Sequence, residues 1–281
     1  MSTPSAIRVG PNISLILLKK RYISFYIFII WISFFIVQFE FWWYWNLLYD
    51  TKFLNFVIFF PFLIIFMYLT MVFVSLIMAK ILIIIVNKIH KPREGTFLRN
   101  PKDKDFRYWC IRNTIKKWPI WLSHKFPFPF LDNICLMLFG VKTKYSNSLF
   151  EGYVDTEFIE FGKDIVVGQA SIVQSAVIIG NLFIIKKTVI KDNVKIGVHS
   201  VIMPGSIIEK NSILGASSMT TIGQHLEEGW VYLGAPAKKF KKNVFFEEGI
   251  ENKIIQEGKY EKELHNKYEG LYTKRRDTLT N

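Results

Sequence analysis

A group that moves a proton near neutral pH needs a pKa close to the operating pH, and histidine is the usual choice. The 281-residue chain has five histidines. His199 lies in "IGVHSV" and His225 in "IGQHLEEGW". Each is a candidate general base, and each has a blander reading as a solvated polar residue. His199 is the better placed, in the corner of a regular repeat; His225 falls in the loop where that repeat ends. His124 stands among Trp and Lys residues and suits packing or lipid contact. Gln174 and Ser175 are candidates to bind a substrate amide, with a polar corner as the alternative. Lys238, Lys239, Lys241 and Lys242 form a basic run whose ammonium groups act as point charges toward phosphates. The alternatives for that run are a solvated tail or lipid contact. Cys110 and Cys135 lack metal-ligand spacing and are expected as reduced thiols.

His199 sits inside a period of six. Ile190, Ile196, Ile202, Ile208 and Leu214 recur at that spacing, each followed four residues later by Val194, Ser200, Ser206, Ser212 or Ser218. Six is neither the helix period nor the simple strand period, and a fixed period means a repeat architecture. Phe161, Val167, Val173 and Ile179 form an earlier series out of phase with the later one. "GNLFIIKKT", Gly180 to Thr188, must therefore contain a turn or loop that breaks register. A hexad supplies a short strand and a tight corner. Three hexads close a triangular coil, with the aliphatic residues stacked about 4.8 Å apart along its axis. Residues 146–237 supply about five coils, a prism roughly 24 Å tall on that spacing. Its open ends need covers, and the candidates are Leu131 to Gly140, read as a short helix stopped by glycine, and the tail after Lys238.

Upstream, Tyr22 to Trp45 and Phe53 to Val86 are almost wholly apolar, and each exceeds the ~20 residues that cross a bilayer core. They are expected as two transmembrane helices. Basic residues flank the outer sides of this hairpin. Residues 1–21 carry four and no acid, while Lys88 to Lys125 holds eleven against three acids. Both ends are then expected in the cytoplasm. The net charge of +13 concentrates beside the spans and has no nucleic-acid motif with it, so anionic lipid is the expected partner and nucleic acid is not. Phe106, Trp109, Ile115, Trp118 and Trp121 alternate with Arg107, Arg112, Lys116 and Lys117, which suits an interfacial helix ended or kinked at Pro119. The expected organisation is a lead (1–21), a transmembrane hairpin (22–87), basic and aromatic helices (88–145), the repeat (146–237) and a charged tail (238–281).

Both hexad series and the closing "WVYLGAPAKKFKK" resemble the left-handed β-helix acyltransferases with hexapeptide repeats. A narrower likeness covers Glu94 to Pro236. "FRYW", "LMLFG" and "DTEFIEFG" are similar to the membrane-embedded C-terminal region of carrier-protein-dependent, peptide-synthetase-like proteins. There a histidine usually follows the glutamine of the stretch matched by "VQSAVIIG" by two residues; this chain has Gln174 but Ala176. The resemblance implies an all-β left-handed parallel β-helix and a thioester donor, acetyl-CoA or another coenzyme A or carrier pantetheine. It further implies an amine or hydroxyl acceptor and a groove between subunits of a homotrimer. It implies a histidine base; Ala176 stands at the usual position, so His199, in its hexad corner, is the candidate here. It points to Gly215, Ala216, Ser217, Gly234, Pro236, Lys238 and Lys239 around the donor, and to Gln174 and Ser175 for the acceptor. Carbonic anhydrases of this fold need three histidine ligands, and two in the repeat do not match, so no metal is expected. The leading expectation is a membrane-anchored acyltransferase acting on a membrane-associated acceptor, with an acyl-carrier protein as a further candidate partner. The alternative is a catalytically degenerate β-helix that scaffolds partners at the membrane surface.

Overall fold

The computed structural model describes residues 20–49, 52–125, 130–149 and 152–243. Residues 1–241 form one compact unit and 242–281 a second, of which Lys242 and Asn243 are described. Nearly all of the expected N-terminal lead, and the charged tail from residue 244 on, lie outside the described residues.

The apolar runs form helices α1 (Ile23–Leu48) and α2 (Phe53–Ile89), both long and apolar enough to cross a membrane. At 1.5 Å per residue they measure about 39 and 56 Å, against a ~30 Å hydrocarbon core. α1 buries only Ile29, Ser33, Val37 and Tyr44. α2 continues through Pro61 and buries mainly its C-terminal half, from Val72 to Val86. Elsewhere large apolar side chains face outward, Phe39 and Phe62 among them. The aromatic cluster near the C-terminal end of α1 is split between surface and interior. Trp42 and Trp43 are exposed, whereas Tyr44 is buried and its hydroxyl donates to the Phe56 carbonyl at 2.5 Å.

Helix α3 (Lys104–Ser123) starts at Asp103, whose carboxylate accepts from the Phe106 N–H at 3.1 Å as an N-cap. Of the two outcomes expected at Pro119, an end or a kink, the end does not occur, and the helix runs four residues further. Nor does α3 keep all its basic residues on an outer face: Lys117 is exposed and Arg107 half-buried, but Arg112 and Lys116 are as buried as Phe106 and Ile115. The reason is its position. Ile115 and Leu122 pack with α1 and α2, while Phe106, Trp109 and Cys110 pack with Phe183 and Ile185 of the β region. Helix α4 (Phe130–Phe139) stops at Gly140, φ 111, where the Val141 and Gly140 N–H groups return to the Leu136 and Met137 carbonyls. That is the glycine-terminated cap expected from "LMLFG". Leu136 and Val141 then close the first coil.

The coils are parallel and three-faced. Ile196 pairs with Leu214, Ile190 with Ile208, and Val173 with Ile202. The hexad residues line the axis: Val167, Ile190, Ile202, Ile208, Leu214 and Leu226 are at most 1% exposed. Thr220 and Tyr232 continue the series as buried members that an aliphatic search misses. The register break is an antiparallel hairpin of Ala176–Ile179 and Leu182–Ile185, extended by strand Gly95–Leu98. Ile179 belongs to this hairpin and is exposed, so the earlier hexad series ends at Val173. Strand Lys238–Lys242 follows Trp230–Leu233 at the end of one sheet and is exposed throughout. A lysine-rich last strand discourages further edge pairing.

Candidate functional site

The three columns of coil corners differ in chemistry. One stacks Asp192 and Asn193 against Lys210 and Asn211. The Lys163 N–H donates to Asp192 at 2.8 Å, and the Asn193 amide donates to Asn211 at 3.2 Å. A second is partly covered where the Lys187 N–H donates to Glu94 at 2.7 Å. The third is open. Its corners are Gln169-Ala170, Val198-His199, Ala216-Ser217 and Gly234-Ala235, and all are exposed.

His199 is held rigidly in this third column. Its backbone is left-handed (φ 57), as are those of Ala170 below it and Ser217 above. The His199 N–H donates to the Gln169 carbonyl and the Ser217 N–H to the Val198 carbonyl, both at 2.9 Å. Successive corners are thereby stacked at the ~4.8 Å strand spacing. Among the described residues the His199 imidazole has no hydrogen-bond or ion-pair partner. Val198 beside it is 44% exposed, so the edge offers alkyl surface next to a free imidazole. The other repeat histidine is engaged elsewhere: His225 Nε2 lies 3.0 Å from Glu209, which also binds Lys191 at 2.6 Å.

The expected donor residues fall largely on this same column, with distinct structural duties. A Cβ on Gly215 would meet the end of the exposed Leu233 side chain at 2.1 Å and the Tyr232 carbonyl at 3.3 Å, so a side chain there requires Leu233 to move aside. The Gly234 N–H donates to Ser218 Oγ at 3.0 Å and its carbonyl accepts from the Met219 N–H at 2.9 Å. Pro236 is exposed, whereas Ala237 enters the core and covers the last coil. Lys238 and Lys239 lead off from this turn. Lys239 is 2.5 Å from Glu227 and sits 4.9 Å over the Trp230 ring.

Gln174 and Ser175 lie apart from that column and are 1% and 2% exposed. Asp155 accepts from the Ser175 N–H at 2.8 Å, the Ala176 N–H at 3.2 Å and Ser175 Oγ at 3.3 Å. Burial pushes the Asp155 carboxyl up to about 7, against the pull of those hydrogen bonds. Nearby, Glu157 Oε1 receives Arg112 Nε at 2.8 Å and Lys116 Nζ at 2.6 Å. Burial acts to raise the Glu157 carboxyl, but Lys116 and Arg112 outweigh it and hold the group below the usual carboxylate range. This buried network was missed in the sequence. Its signals were the acid pair in "DTE" and basic residues four apart on α3.

Residues 187–221 match the family model described as bacterial transferase hexapeptide (six repeats). The chain carries hexapeptide repeats. Over 108 residues it is 32% identical to an uncharacterized protein of Dictyostelium discoideum, covering 38% of this chain and 39% of that one. It therefore spans about two fifths of the curated relative it matches. Among solved structures it is similar to a galactoside acetyltransferase in complex with coenzyme A. That match is 17% identical with TM-score 0.37, over 46% of this chain and 78% of that one. A maltose O-acetyltransferase from Clostridium difficile is 16% identical with TM-score 0.35, over 45% and 83%. An N-acyltransferase from Bacillus cereus, as a mutant with a nucleotide-sugar and coenzyme A, is 23% identical with TM-score 0.31, over 38% and 66%.

Proposed function

We propose that this chain is a membrane-anchored acyltransferase that moves an acyl group from a pantetheine thioester to an amine or hydroxyl of a membrane-associated acceptor. The carrying observation is the open corner column, where an imidazole without a partner, on a hydrogen-bonded backbone corner, adjoins exposed alkyl groups. The hexapeptide-transferase repeat supports the reading. The acceptor's nitrogen or oxygen attacks the thioester carbonyl while His199 takes its proton. The tetrahedral intermediate then collapses, the C–S bond breaks, and the imidazolium returns the proton to the leaving thiolate. Coenzyme A or a carrier pantetheine lies along the column past Ala216 and Ser217, with Lys238 and Lys239 near its phosphates. Gln174 and Ser175 hold the coil junction instead of the acceptor. The β-helix is left-handed, and three copies assemble with the column at their interface. α1 and α2 span the membrane with the repeat on the cytoplasmic side. Full-length protein in mild detergent should bind coenzyme A and transfer acyl groups from a thioester panel to membrane extracts. Binding of neither coenzyme A nor a carrier pantetheine would favour the scaffold reading instead, which the buried alanine at 176 supports.

A further inference from the structure

A cavity of about 500 Å³ lies where the C-terminal half of α2 and the end of α4 meet the first coil. That volume falls within the range of small-molecule sites. Four lysines line it: Lys80 from α2, Lys116 from α3, and Lys142 and Lys187 from the β region. Two carboxylates on the same wall are each bound by two cations. Glu157 receives Lys116 and Arg112, and Glu160 receives Lys142 and Lys187. Each trio carries one surplus positive charge. Lys80 adds a third, because among the described residues its ammonium meets no carboxylate and donates to the Leu138 carbonyl at 2.5 Å. Against these stands Glu94, whose carboxylate accepts from the Lys187 N–H at 2.7 Å. The wall, with Arg112 behind it, is left net positive.

This surplus is within reach of a ligand. The Lys142 side chain is 76% exposed and that of Lys187 41%, and Lys80 is half-buried. An ammonium has three N–H donors. Lys80 uses one on Leu138 and Lys142 one on Glu160, which leaves free donors on α2 and on the coil beside it. Ile83 and Phe139 supply apolar wall, and low-dielectric walls strengthen the field of the charges between them. Such a wall selects an anion rich in acceptor oxygens, and a phosphomonoester offers three. Position names the source. On the membrane-anchored reading, Lys80 stands about 40 Å along α2 from Phe53, at 1.5 Å per residue. A bilayer with its headgroups is about 40–45 Å thick, so the cavity lies at headgroup level on the basic side of the hairpin.

We infer that this cavity binds the phosphomonoester headgroup of an anionic membrane lipid, through the ammonium groups of Lys80 and Lys142. The inference rests on the membrane-anchored reading of α1 and α2 and is independent of acyl transfer. The test uses full-length protein in a maltoside detergent, whose headgroup is uncharged. Dioctanoyl phosphatidic acid is added below its critical micelle concentration and thermal unfolding is followed. At about ten times Kd, the midpoint should rise by roughly 2–5 °C. Dioctanoyl phosphatidylcholine and inorganic phosphate at the same concentration should give no comparable rise. Lys80→Gln keeps a donor for the Leu138 carbonyl and should weaken phosphatidic acid binding about 10- to 100-fold. Lys142→Gln leaves Lys187 on Glu160 and should weaken it at least about fivefold. Lys102→Gln removes the same charge from an exposed residue outside the cavity lining and should leave binding within about twofold. All three variants should keep the wild-type circular dichroism; if Lys80→Gln unfolds, Lys142→Gln decides. No phosphatidic acid shift, an equal shift from phosphatidylcholine, undiminished binding in a folded Lys80→Gln or in Lys142→Gln, or an equal loss in Lys102→Gln would each overturn the site. An equal shift from inorganic phosphate would overturn the lipid source. Retention in carbonate-washed membranes is scored separately. Release there overturns the anchored reading, whereas retention without a phosphatidic acid shift overturns the cavity alone.

Discussion

At the residue scale, His199 combines a constrained backbone with a free side chain. A non-glycine residue at φ 57 is uncommon, although histidine tolerates the region better than most. Here stacked corners above and below enforce it. His199→Ala should lower acyl transfer by about 10²–10⁴-fold while leaving coenzyme A binding nearly unchanged. Equal turnover in the two proteins would remove His199 from the reaction. Asp155 offers a second, independent measurement. Its carboxyl titrates near 4 when unfolded but is raised to about 7 in the fold, chiefly by burial. The folded state thus binds the proton more tightly. The resulting stabilisation is complete below about pH 4 and is lost as pH rises through about 7. Asp155→Asn keeps an acceptor for the three donors and does not titrate. Its melting temperature relative to wild type should therefore climb between pH 4 and pH 8. A flat difference would contradict the raised carboxyl.

At the element scale, the coil depends on two kinds of position. Ile202 is fully buried, and Ile202→Ala should cost roughly 2–5 kcal/mol, read from denaturant unfolding. Gly197 is constrained differently. An added Cβ would lie 2.4 Å from the Ala216 nitrogen, and backbone held in a ladder cannot step aside as a side chain can. Gly197→Ala should destabilise by about 1–3 kcal/mol through overpacking. Full stability in that variant would mean that the coils are further apart than described. Helix α3 shows a separate logic. It is buried on both sides, so its basic residues needed an internal carboxylate, and Glu157 supplies it. Removing one partner of such a group usually costs more than the pair contributes.

At the scale of the whole molecule, the predictions concern sidedness and assembly. Cys110 and Cys135 are buried, and burial pushes the Cys110 thiol up to about 12, so native thiols should stay silent to an aqueous reagent. A cysteine placed at Thr51 should react with an impermeant maleimide in intact cells, while one at Thr278 should react only after permeabilisation. Reaction of both from outside would reverse the proposed topology. Mass measurement in mild detergent should find three copies; monomers alone would leave the corner column open to solvent and remove any groove between subunits.

Local pattern determined much of this protein. The hexad period is a property of neighbouring residues, so the coil and most of its core could be read directly from Ile190 to Leu214. The two apolar helices and the glycine stop of α4 were legible for the same reason: each depends on residues within a few turns. Where burial depended on distant chain, the reading ran out. Ile179 fits the hexad spacing but lies on the hairpin, because the chain leaves the coil at Ala176. Arg112 and Lys116 carry an interfacial signature, yet their positions follow from Glu157, more than forty residues away. Gln174 and Ser175 look like polar corners, and tertiary packing buries them. The open corner column was beyond any spacing rule. Exposure and unpaired atoms are properties of all the elements packed around a site, and only the folded chain brings those elements together.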